Sequence, residues 1–156
     1  MMLNDLGYTF ARLGDYQQAL SCCEQALAAI RELGARNWEN AVWDSLGYIH
    51  HRLGNHQRAI ACYRRSIDLS RELADRYTEA ITLDNLGDAH HSAGDTGAAR
   101  RAWTEALDIF DGTDHPNGDP VRAKLRTHSD RMRSGPLSAP PDLLLVNGQA
   151  EETPVP

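Results

Sequence analysis

Two adjacent histidine pairs, His50-His51 and His90-His91, stand 40 residues apart in this chain. Imidazole titrates near neutrality and ligates transition metals, so such pairs are a first place to look for chemistry. Asp84 and Asp88 precede the second pair. With His91 they fall at i, i+4 and i+7, on one face of a helix. Imidazole and carboxylate are suitable Zn²⁺ ligands, yet no H-E-x-x-H or comparable spacing accompanies them. Ser, His and Asp are present without a strand–turn–helix nucleophile context, and no Gly-rich phosphate loop is found. Cys22, Cys23 and Cys62 are odd in number and lack C-x-x-C spacing, so neither a disulfide framework nor a zinc site is indicated. Cys22 and Cys23 lie beside Ala19 and Ala26 at helical spacing, a setting for packed, inert thiols.

The elements that carry these residues repeat. LGYTFARLGDYQQAL from Leu6, LGYIHHRLGNHQRAI from Leu46 and LGDAHHSAGDTGAAR from Leu86 are offset by 40 residues each, without gaps. Residues 6–45 and 46–85 agree at 15 of 40 positions. A fixed period in this range signals a stacked array. Each copy holds two helical stretches, as in Leu46, Ile49, Leu53 and then Ala59, Ile60, Tyr63, Ile67. Gly14, Gly54 and Gly94 end the first helix of each copy, and Asp15, Asn55 and Asp95 can cap the second. Gly34 ends the second helix of copy one; Ala74 stands at the matching place, with Asp75 as the next cap. Such short turns make neighbouring helices antiparallel.

Gly7, Gly47 and Gly87 lie inside helices, where Gly costs roughly 1 kcal/mol against Ala. The expected return is close approach of the paired helix. Its facing positions are small (Ala19, Ala59, Ala99 and Ala26, Ser66, Ala106), and Cys23, Tyr63 and Trp103 fill the gap beside the crossing.

This pattern resembles the tetratricopeptide repeat over residues 3–110: the interior Leu-Gly, Gly14-Asp15-Tyr16, the small Ala19 and the Ala26-Leu27 pair. The 40-residue period resembles the long repeats of kinesin light chain and spindle adaptors. Asp108-Ile109-Phe110, His115-Pro116 and the run from Asp119 to Leu125 look most like the C-terminal arrays of actinobacterial regulators that carry an NTPase module, such as the antibiotic regulatory proteins. The resemblance implies an all-α, right-handed α-solenoid of about three helix pairs plus a C-terminal capping helix. The array is expected over 1–133, with repeats about 1–34, 35–74 and 75–112 and a cap at 119–133. It also implies that the first helix of each pair lines a concave groove. Carried over position by position, the groove residues are Asn4, Tyr8, Ala11 and Arg12, then Asp44, Tyr48, His51 and Arg52, then Asp84, Asp88, His91 and Ser92. The spindle adaptors favour Asn after the Leu-Gly, where this chain has Tyr8, Tyr48 and Asp88. His50 and His90 fall where the family keeps an aromatic ring between helices. His51 and His91 point to the groove as hydrogen-bonding contacts, with a Zn²⁺ site as the competing reading.

The expected function is a protein–protein interaction module that binds a peptide or partner segment. The acidic groove favours a ligand carrying Arg or Lys. The alternative is the sensing or autoinhibitory arm of a longer NTPase-containing transcriptional regulator. No catalytic residue, metal or cofactor is expected. A net charge of −6 over 156 residues disfavours non-specific nucleic-acid or anionic-lipid binding, and no apolar run reaches membrane-spanning length. The free cysteines and the lack of a secretory pattern at the start fit the cytoplasm. Fifteen of the sixteen basic residues are Arg, Lys124 being the exception, which suggests a GC-rich bacterial genome.

Asp119-Pro120 is a good helix start, and Val121, Leu125, His128 and Met132 form one narrow apolar stripe. Arg122, Lys124, Arg126, Arg131 and Arg133 are expected to face solvent around it. Residues 134–156 are expected to form a disordered Pro-rich tail, with Leu143-Leu144-Leu145-Val146 as a short run able to dock. At the other end, helix one begins without a cap or a polar outer face. A piece of a longer array, or a gene start assigned too late, is therefore expected, and self-association through this face is a further reading.

Overall fold

The computed structural model describes residues 2–113 and 115–133, with side chains as far as Ser129. The expected tail and its apolar run lie outside the described residues, as do the Arg131, Met132 and Arg133 side chains. Among the described residues seven α-helices follow one another: α1 Met2–Leu13, α2 Tyr16–Glu32, α3 Glu39–Arg52, α4 His56–Glu72, α5 Arg76–Ser92, α6 Thr96–Gly112 and α7 Gly118–Arg133. No strand occurs among the described residues. Each helix packs on the next, and α1 meets α3 as α3 meets α5, so the odd-numbered helices run side by side. The chain is an all-α helical repeat solenoid.

Local chemistry sets the helix ends. The carboxylates of Asp15, Asp75 and Asp95 accept from the backbone N–H three residues on, at 3.1, 3.1 and 2.9 Å. Asn55 makes no such bond, contrary to the capping role its position suggests. Ala35 stands where Asp75 stands one repeat later. Lacking an acceptor side chain, the chain there winds into a 3₁₀ turn, Arg36–Trp38, and α3 starts at Glu39 rather than near Arg36. Ala74 takes φ 53° where Gly34 has φ 65°, so one turn asks a Cβ-bearing residue to adopt the left-handed region.

The interior glycines are packing devices. A Cβ at Gly7 would lie 2.7 Å from Cys23 Sγ, and one at Gly47 2.5 Å from the Tyr63 ring. At Gly87 it would overlap the Trp103 indole. Tyr63 and Trp103 are almost wholly buried as a result, and each burial contributes roughly 1.5–3 kcal/mol. Two apolar clusters form the core. One gathers Ala11, Cys23, Leu27, Ile30, Val42 and Ile49; the other gathers Tyr63, Leu83, Trp103, Phe110 and Val121. Near their junction lies a polar layer. Ser66 Oγ donates to the Asn40 carbonyl at 2.8 Å, and Asn40 Nδ2 donates to Ser70 Oγ at 3.1 Å and to Asp75 at 3.2 Å. The buried Glu79 carboxylate is met by Arg71 at 2.7 Å and Arg76 at 2.6 Å.

Candidate functional site

The odd-numbered helices share a wall because each presents a polar position beside its core stripe. Along this wall lies an open cleft of about 280 Å³, lined by Asn4, Asp5, Tyr8, Ala41, Asp44, Ser45, Thr78 and Ile81. Three helices contribute, so the cleft exists only because consecutive repeats stack. The rings of Tyr8 and Tyr48 meet tilted, at 5.3 Å between centroids and 45° between planes. Asp44 is partly buried and accepts from Asn85 Nδ2 at 3.1 Å. Burial pushes its carboxyl upward, while Asn85 and Thr82 pull it back.

The remaining expected residues separate into three groups. Asn4 lines the cleft but is largely buried, its Oδ1 lying 3.9 Å from Cys23 Sγ. Ala11 is core. Arg12 and Arg52 are exposed at the far ends of α1 and α3. His51 Nε2 sits 3.0 Å from Ser92 Oγ, and its ring meets that of His56 at 5.8 Å. Burial lowers the His51 imidazole, with Asp88 opposing and His56, Arg52 and Lys124 adding to it. His91 instead meets His128 at 4.3 Å, and His128 stacks on Trp103 at 5.0 Å. His51 and His91 therefore find different neighbours. Among the described residues no group of three His, Cys, Asp or Glu side chains is gathered as a metal set.

Asp84 and Asp88 depart from the expectation of an open acidic surface. Lys124 of α7 reaches back and places Nζ 2.7 Å from Asp84 and 2.8 Å from Asp88, with the Trp103 ring centroid at 5.9 Å. Trp103 Nε1 also donates to Asp88 at 3.1 Å. Lys124 is thus not a solvent-facing charge, and Arg122 is paired with Asp111 and Asp119. Lys124 corrects the expectation that these cations face solvent, whereas Arg122 stays at the surface in its ion pairs. The signal was present: Lys124 is the single lysine and lies one period after Asp84. Asp5, Ala41, Ser45, Thr78 and Ile81 were also missed: Asp5 and Ser45 stand beside carried-over positions, Ala41 and Ile81 one turn before Asp44 and Asp84, and Thr78 nearly two turns before Asp84.

The cysteines are packed away from solvent. Cys22, Cys23 and Cys62 are free and buried. Burial, then Cys22 and Glu24, push the Cys23 thiol up to about 12, far from the thiolate needed for reaction. No described helix is long and apolar enough to cross a membrane.

Comparison with curated proteins returns no match. Comparison with family models returns two, both tetratricopeptide repeat models, over residues 1–36 and residues 38–112. Together they span α1 to α6, the helices that build the cleft: the chain belongs to the tetratricopeptide repeat family, whose arrays generally mediate protein–protein interactions.

Proposed function

We propose that this chain is a non-enzymatic adaptor that binds an extended segment of a partner protein along the wall of α1, α3 and α5. The observation that carries the reading is the three-helix cleft with the Tyr8–Tyr48 pair at its edge. Two aromatic rings offer flat apolar contact at small entropic cost, and Asn4, Ser45 and Thr78 offer hydrogen bonds that fix a backbone. His51, Arg52 and Arg12 extend the polar rim. The free cleft lies on α1, α3 and the first turns of α5, because Lys124 closes the acidic part further along α5. The test is selection of displayed peptides on the folded chain, followed by affinity measurement. A Tyr8→Ala, Tyr48→Ala double variant is expected to lose about tenfold or more, roughly 1.4 kcal/mol. Peptides that bind the variant equally well would place the site elsewhere.

Self-association is a second reading, and a specific observation favours it. Met2, Leu3, Leu6 and Leu13 are exposed at 87, 38, 45 and 77 %. Beside them an apolar cleft of about 440 Å³ is lined by Leu3, Ala26, Ile30, Leu33 and Trp38 among others. Sedimentation velocity with Leu6→Glu tests it: a dimer dispersed by the variant supports the reading, and a monomeric wild type removes it. The regulatory-arm reading uses the same groove and rests on the resemblance of residues 108–125.

A further inference from the structure

We propose that the cleft at Asp44 is a receptor for one cationic side chain, an arginine or lysine of the bound segment, held by the Asp44 and Asp5 carboxylates against the Tyr8 ring. This deepens the groove reading and rests on it.

The chain contains a worked example of the same recognition. At copy three an ammonium sits between two carboxylates and beside an aromatic ring: Lys124 with Asp84, Asp88 and Trp103. Asp44 occupies the position of Asp84 one period earlier. Around it the cleft again offers a second carboxylate, Asp5, and an aromatic face, Tyr8. What differs is the cation. The position one period after Asp44 is Asp84, an acid, so α5 does not send a lysine back as α7 does. Asn85 supplies an amide N–H instead, a dipole without net charge. Among the described residues neither Asp5 nor Asp44 lies in an ion pair. A carboxylate drawn out of water without a counter-charge is costly, and a cation entering from solvent relieves that cost.

Charge also decides who supplies it. Residues 134–156 hold no Lys or Arg and carry Asp142, Glu151 and Glu152, so this chain's own C-terminal segment has the wrong sign. The occupant proposed is therefore a cationic segment of a partner protein. An extended chain reaching the cleft would lay an aliphatic stem over Tyr8 and Ile81 and deliver its charged head to Asp44.

The probe is N-acetyl-arginine methylamide, titrated into the isotope-labelled full chain at low salt. Its uncharged isostere, N-acetyl-citrulline methylamide, is the control. The arginine compound is expected to shift the amides of residues 4, 5, 8, 41, 44 and 45 saturably, and the citrulline compound is expected not to. Asp44→Asn, with an otherwise unchanged spectrum, is expected to abolish the shifts. Lys124→Met is expected to open a second site, seen as new shifts at residues 84 and 88 and at the Trp103 indole. Equal shifts from both compounds, no saturable shift at the probe's solubility limit, or shifts that survive Asp44→Asn would overturn the proposal. Display-selected peptides keep this failure distinct from failure of the groove. Peptides that need Tyr8 and Tyr48 yet tolerate Arg→citrulline without loss leave the groove standing and remove the cation site. A loss of about tenfold or more on that exchange supports both.

Discussion

At the scale of single residues, one glycine position explains much of the packing. Gly47 leaves room for the Tyr63 ring, so adding a methyl there sets overpacking against a better helix former. Gly97 in α6 meets nothing closer than 3.6 Å. Gly47→Ala is expected to destabilise by about 1–2 kcal/mol and Gly97→Ala to stabilise by about 0.5–1 kcal/mol. Urea denaturation checks both, and opposite signs are the diagnostic. The paired histidines answer differently from one another. His50 and His90 occupy the place of Phe10 one and two periods on, against neighbouring helices. Burial lowers both imidazoles, with Arg58 adding to the effect at His50 and Arg64 at His90. A base harder to protonate when folded gives stability that is present above its ordinary value of 6.5 and lost as pH falls through the lowered folded value. Denaturation between pH 7.5 and pH 5 is therefore expected to show falling stability, and a His50→Phe, His90→Phe variant a flatter profile. The repeat made the position of these rings legible. Their partners were not, because a ring's neighbours across a crossing depend on rotamers and helix offset rather than on period.

At the scale of elements, the helices were readable from their apolar spacing and their Gly-Asp ends. The exceptions have physical causes. Ala35 provides no cap, so α3 begins late behind a 3₁₀ turn. The last helix was legible as an end element with Val121 inward, and Val121 is 1 % exposed. The reach of Lys124 had one signal, its spacing of one period from Asp84, but its aspartates lie two helices earlier and no spacing rule by itself fixes that contact. This contact makes α7 more than a lid over α6. Lys124→Ala removes charge-assisted bonds to two carboxylates and leaves Asp84 and Asp88 facing each other's charge. The expected cost is about 1–3 kcal/mol, concentrated locally. Hydrogen exchange is expected to speed up across 118–129 while α3 and α4 keep their protection. Uniform loss across all helices would instead mean that α7 unfolds only with the whole array.

At the scale of the whole molecule, stability in a stacked array is a sum of helix pairs and the interfaces between them. Here the two apolar clusters are separated in part by a polar layer around Asn40, Ser66, Ser70 and Thr82, all buried. Copy one also exposes Met2, Leu6 and Leu13. Native-state hydrogen exchange is therefore expected to open α1 and α2 before α4 to α6, and simultaneous opening would count against that order. The same stacking creates the cleft that no single repeat contains. Its existence followed from the repeat, but its useful part did not. Three of its acids, Asp44, Asp84 and Asp88, were visible in the sequence, and only the structure tells which have already been answered by Lys124. The most direct test of the groove assignment is photocrosslinking of a display-selected peptide from p-benzoylphenylalanine placed at position 8, position 48 or, on the exposed face of α4, position 65. The account predicts adducts from positions 8 and 48 and none from 65. Adducts from 65 alone would contradict it and move binding to the even-numbered helices.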